Sequence, residues 1–118
     1  MKDIFTIQLN EDAFERVISG KKTVHLEIND KHHKILAVGN QLTFVCETEE
    51  TKREQKAVIE NLLYFGDVKE AIETIGKEAC GFKPSFTYEK ASDIFMLGEE
   101  YEDIEKFGIV AMVFKIVE

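Results

Sequence analysis

The densest chemistry in the chain lies between Gly20 and Asp30, where Lys21, Lys22, His25, Glu27 and Asp30 follow one another closely. Two adjacent ammonium groups can clamp a phosphate, and one of them, if desolvated, can serve as a base. A cationic helix end favoured by the helix dipole accounts for the same two lysines without any ligand. From Thr23 to Ile28 polar and apolar residues strictly alternate, so in a strand Val24, Leu26 and Ile28 point one way while Thr23, His25 and Glu27 point the other. His25 therefore falls on the parity away from the core. An imidazole there, with an ordinary pKa of about 6.5, could bond a base edge, activate water, or pair with an acid across the sheet.

Other reactive side chains are sparser. His32 and His33 are adjacent in a polar stretch, unlike the i, i+4 helical pair that converges on a metal, so a solvated loop is expected and no metal site or cofactor. Cys46 and Cys80 form no C-x-x-C pair and read as reduced thiols, Cys46 packed in a strand. Phe82, Phe86 and Tyr88 could stack a nucleobase, although aromatics flanking a helix start also serve a core. Residues 99–105 hold five acids and no base, a solvated turn of helix pinned by Tyr101 and Ile104 that could also meet a protein partner.

The elements that must position these groups follow from the pattern. Residues 4–9 read as a strand with Phe5, Ile7 and Leu9 on one face. Asn10 then caps a short helix, with Glu11 and Asp12 at its positive end, Phe14, Val17 and Ile18 on its buried side, and Gly20 as its stop. The alternating strand comes next, then a polar loop over 29–34 and a tight turn at Val38-Gly39-Asn40. Gln41 to Cys46 and Lys56 to Phe65 read as strands on either side of a charged hairpin end. Asp67 and Glu70 have capping-box spacing before the stripe Val68, Ala71, Ile72 and Ile75, and Gly76 ends that helix. After a connector over 77–84, Ser85 is expected to cap a third helix burying Ala91, Ile94 and Phe95. Ile109 to Val117 is apolar on both parities and predicts a central strand covered on both faces. Five strands with about three short helices, most strands too close in sequence for crossover helices, predict an α+β domain on a curved, mostly antiparallel sheet, with closure into a small barrel removing exposed edges.

At 118 residues and 44% hydrophobic the chain has the size of one domain, read as 1–118, with a core of its own. No apolar run is long enough to cross a bilayer and the first residues lack a signal-peptide pattern, so the expectation is a cytoplasmic protein with no membrane partner. The net charge of −8 argues against non-specific attraction to nucleic acid. That deficit is uneven. Residues 1–40 hold six basic and six acidic side chains, whereas residues 41–118 hold nine and seventeen, and the segment from Gly20 to Lys34 is locally positive. An anionic ligand would approach there.

Taken in order, Ile18-Ser19-Gly20-Lys21-Lys22-Thr23 at the helix end, the Val-x-Leu-x-Ile strand, the Val38-Gly39-Asn40 turn and the late Lys106-Phe107-Gly108-Ile109-Val110-Ala111 resemble the ASCH domain, which has a PUA-like fold. The resemblance runs over nearly the whole length. It implies a β-barrel whose cleft is lined by the Gly-Lys-Lys segment and the following strand, in a family regarded as binding RNA or handling nucleotides. On that resemblance the ligand contacts are Lys21, Lys22, Thr23, His25, Glu27 and Asn40, and the ligand is RNA, a nucleotide or a nucleoside. Some small members resemble amidohydrolases acting on N4-acylated cytidine through a Lys, a Thr and a downstream Glu. By position these are Lys22, His25 in place of the Thr, and Glu78, with Cys80 as the alternative occupant of the last place. The family's usual Glu-x-Arg reads His25-x-Glu27 here, and its usual Gly-Asp reads Gly39-Asn40. A protein-interaction module using the acidic 99–105 face is the remaining expectation.

Overall fold

The computed structural model describes residues 4–97, 99 and 101–117. A single five-stranded sheet runs through it: β1 (Thr6–Gln8), β2 (Val24–Ile28), β3 (Gln41–Glu47), β4 (Lys52–Phe65) and β5 (Ile109–Ile116). Among the described residues four helices are interspersed, α1 (Glu11–Ile18), α2 (Val68–Ile75), α3 (Tyr88–Met96) and α4 (Tyr101–Phe107), with a 3₁₀ turn at His33–Ile35. The spatial order is β1-β3-β4-β5-β2; β1 and β3 are parallel and the other pairs antiparallel. This is an α+β fold on a curled half-barrel, left open between β1 and β2.

The curl has a covalent origin in β4. Its first half pairs with β3 and its second half with β5, and the register shifts between Ile59 and Asn61 where a bulge bends the strand. As a result β2 and β3, with two strands between them in the sheet order, face each other across the concave side. The His25 ring stands edge-on to that of Phe44 with centroids 6.1 Å apart. Charged residues fill the start of β4, which begins at Lys52 rather than at Lys56, because their backbone pairs with β3 while the side chains stay in water.

Two apolar clusters flank the sheet. One fills the concave side with Ile7, Phe14, Val17, Leu42, Phe44, Ile59, Met112 and Phe114. The other lies under the helices and contains Val24, Leu26, Ile28, Ala71, Ile72, Ala91, Ile104 and Ala111. Alternate residues of β5 enter both clusters, so this strand is doubly covered as its composition predicts. The same arrangement corrects the reading of β2: its apolar parity packs under the helices, and its polar parity, with His25, faces the barrel interior rather than an open working surface.

Local signals hold at most helix ends. The Asn10 side chain accepts from Ala13 N at 2.8 Å, and Asp67 accepts from Glu70 N at 2.8 Å. Gly20 takes φ +81° immediately after the cap of α1, a conformation that costs a side-chain-bearing residue about 1–2 kcal/mol. The third helix starts later than Ser85. Residues 83–86 close a turn, with Phe86 N donating to Lys83 O, and Thr87 is the cap, accepting from Lys90 N at 3.0 Å. Ile18, Ile94 and Tyr101, expected on buried faces, are exposed, whereas Ile104 does pin α4. His33 is buried rather than solvated, its Nδ1 2.8 Å from Asp30 Oδ1. Glu100, part of the acidic run, lies outside the described residues.

Candidate functional site

The segment leaving α1 is tied down before β2 begins. Lys22 N donates to Arg16 O, and Thr23 N and Val24 N both donate to Ala79 O of the connector after α2. That connector is therefore held alongside the start of β2, and a cavity of about 320 Å³ opens between it, the first turn of α1 and one face of α3. Lys22, His25 and Leu26 line it from the β2 side; Cys80, Gly81, Phe82, Lys83 and Phe86 from the connector; Asn10, Asp12 and Ala13 from α1; Ile94 and Phe95 from α3. The volume is at the small end of the range for small-molecule sites, about 300–1000 Å³.

The two adjacent lysines part company here. Lys21 is exposed, whereas Lys22 is only 7% exposed. Among the described residues its Nζ has one hydrogen-bond acceptor, Cys80 O, at a long 3.5 Å. Gly81, at φ +95°, lets the lysine stem lie against the connector, since a Cβ there would stand 2.8 Å from Lys22 Cδ. Burial pulls the ammonium down from its ordinary 10.5 to about 8, against the attraction of Cys80 and Glu27. Burial also pushes the Cys80 thiol up to about 11, against the pull of the Lys22 charge.

His25 is 12% exposed, on the cavity lining rather than sealed from it. Its Nε2 lies 2.9 Å from Glu27 Oε1, and because a carboxylate only accepts, Nε2 carries the hydrogen and Nδ1 keeps its lone pair. Nδ1 is buried without a hydrogen-bond partner among the described residues. Burial first, then the charges of Lys22 and His33, lower the imidazole pKa, while the Glu27 hydrogen bond and charge oppose them. The ring is neutral at pH 7.

Of the residues expected at a cleft, the structure brings together Lys22 and His25, with Glu27 joined to them through the imidazole. Of the two downstream candidates Cys80 lines the cavity, whereas Glu78 is exposed on the connector and does not. Lys21 lies in a separate groove with Asp12, Glu15 and Arg16. Thr23 is exposed beside Glu60 and Lys115 in another depression, which Lys22 also borders. Asn40 is occupied in its own turn, its Oδ1 accepting from Ala37 N at 2.7 Å, and it is not on the cavity wall. Phe82 and Phe86, half-buried, supply the aromatic wall, and Lys83 and Lys90 stand over the Phe86 ring, Nζ to centroid 5.9 and 4.4 Å. Asn10, Gly81 and Phe95 belong to the site without any sequence signal for it. Among the described residues no three His, Cys, Asp or Glu side chains converge as a metal-binding set.

No protein-family model and no curated protein sequence matches the chain. Solved structures do match its fold. The hypothetical protein PH0355 superposes with a TM-score of 0.77 at 19% identity, over 95% of this chain and 97% of its own. PF0455 from Pyrococcus furiosus gives 0.69 at 17%, over 97% of each chain. The ASCH protein from Zymomonas mobilis gives 0.63 at 18%, over 93% of this chain and 65% of the larger protein. At these identities the likeness is one of fold.

Proposed function

We propose, taking the ASCH fold as premise, that the chain is a small ASCH-domain protein that binds a nucleotide or a short single-stranded RNA element, with a base inserted in the cavity beside Lys22. The observation that carries this reading is a buried ammonium with one long acceptor in a cavity walled by Phe82 and Phe86. A desolvated cation with unfilled donors gains most from a ligand oxygen, and aromatic faces accept any planar base. Recognition is short-range, because the net charge of −8 opposes long-range attraction of polyanions. Calorimetric titration with nucleoside monophosphates and a short single-stranded RNA at low salt tests it. Binding that weakens in Lys22→Met and in Phe86→Ala is expected; no heat with any of these ligands at millimolar concentration refutes it.

The pairing of Glu27 with His25 beside Lys22 favours a second reading, an amidohydrolase on N4-acylated cytidine. Here His25 Nδ1 takes a proton from water as its oxygen attacks the acyl carbon, Glu27 holds the ring, Lys22 stabilises the developing oxyanion, and the protonated ring returns that proton to the departing amine as the C–N bond breaks. Glu78 has no part in that arrangement. Incubation with acylated cytidines followed by mass spectrometry decides it: absence of turnover, or turnover undiminished in His25→Ala, removes the reading.

A further inference from the structure

The Lys22 amine is placed for chemistry that base binding does not use. It is nine-tenths buried yet borders the cavity, is held by one long hydrogen bond to Cys80 O, and rests on Gly81, where no side chain stands over it. Aromatic rings line the same space, and the neutral His25 beside it keeps an unpartnered Nδ1 able to take a proton. The geometry points to Lys22 as a reversible covalent site for an aldehyde carried on a planar ring, forming an imine within the cavity.

The step balances without a further reagent. The Nζ lone pair attacks the carbonyl carbon, a C–N bond forms, and the carbonyl π electrons move to oxygen, which takes a proton. The carbinolamine then loses that oxygen as water while Nζ gives up its remaining proton, leaving a protein-bound C=N. The amine must be unprotonated at the start. With its pKa at about 8, roughly a tenth of Lys22 is free amine at pH 7, against about one part in 3000 for an ordinary lysine. Phe82 and Phe86 favour a ring-borne aldehyde over an aliphatic one of equal reactivity, since only the former gains stacking area.

Lys21 is the internal reference: the same chain, one residue away, exposed. The full-length protein is incubated at pH 7 with benzaldehyde or with acetaldehyde in the presence of cyanoborohydride, and each lysine's reductive alkylation is quantified by peptide mass spectrometry. Lys22 is expected to be labelled at least tenfold faster than Lys21 by benzaldehyde, with a smaller ratio for acetaldehyde. Its labelling should level off above about pH 8, where the Lys22 amine is already free. Equal labelling of the two lysines by benzaldehyde, or a Lys22 rate that keeps rising well above pH 8, overturns the proposal. Both comparisons use the unmodified protein, so they stand even if Lys22→Met alters folding. They are also independent of nucleotide binding, so either conclusion can fail without the other.

Discussion

Replacing Lys22 with Met should make the protein more stable while impairing its site. In the folded chain the ammonium titrates at about 8 instead of its ordinary 10.5 because burial strips its water. At about 1.36 kcal/mol per pH unit, that fall corresponds to a cost of about 3 kcal/mol carried by the native state at pH 7. The sign follows from proton counts. Between pH 8 and pH 10.5 the unfolded chain binds a proton at this position that the folded chain has lost, so stability rises with pH through that window, and the penalty is complete below it. Methionine fills nearly the same volume with no charge to desolvate. Lys22→Met should therefore be more stable than wild type by up to about 3 kcal/mol at pH 7, roughly 10 °C in Tm for a domain of this size, and the two should converge near pH 10.5. Urea unfolding followed by circular dichroism at pH 7 and at pH 10.5 measures both ends of that window. A variant less stable than wild type at pH 7, or a difference that does not shrink with pH, would refute the argument that a desolvated charge is being tolerated here.

Gly81→Ala should cost more than about 1 kcal/mol, because φ +95° strains any other residue and the new Cβ meets Lys22 Cδ, and it should weaken nucleotide binding along with stability. Asp67→Ala removes the cap of α2 and should destabilise by about 1 kcal/mol with ligand affinity unchanged; a change in affinity would mean that α2 reaches the cavity. Two-bond nitrogen–proton NMR should show His25 neutral with its proton on Nε2 at pH 7. In Glu27→Gln its pKa should fall further, since the carboxylate is what raises it, and a charged ring or an Nδ1–H tautomer in wild type would contradict the assignment.

The periodicity of β2 was readable to the residue, as were the caps Asn10 and Asp67 and the doubly apolar β5. These are local signals, set by side-chain parity and by hydrogen bonds three residues away. What parity could not tell was which side of β2 is the outside. In a flat sheet the polar face would be open, but the bulge in β4 curls it inward, so His25 stands against Phe44 at the cavity wall instead of on an open face. Adjacency misled in the same way at Lys21 and Lys22, which look like one feature and are separated by the turn of the chain into β2. Glu78 and Cys80 are indistinguishable by alignment, and the connector, held to the start of β2 by two hydrogen bonds to Ala79 O, turns Cys80 and not Glu78 to the cavity. Ser85 lost the cap to Thr87 because a turn over 83–86 intervenes, and turns of that kind leave no periodic trace.

The carbonyl of Ala79 has a wider consequence. By accepting from two successive amides at the start of β2, it occupies donors that an outer strand would otherwise offer to a neighbouring chain. The outer edge of β2 is thus covered at its start by the very segment that walls the cavity. A lesion that loosens the connector should both empty the pocket and leave a sticky strand, so aggregation on heating and failure of ligand binding are expected to arise together from mutations near Ala79.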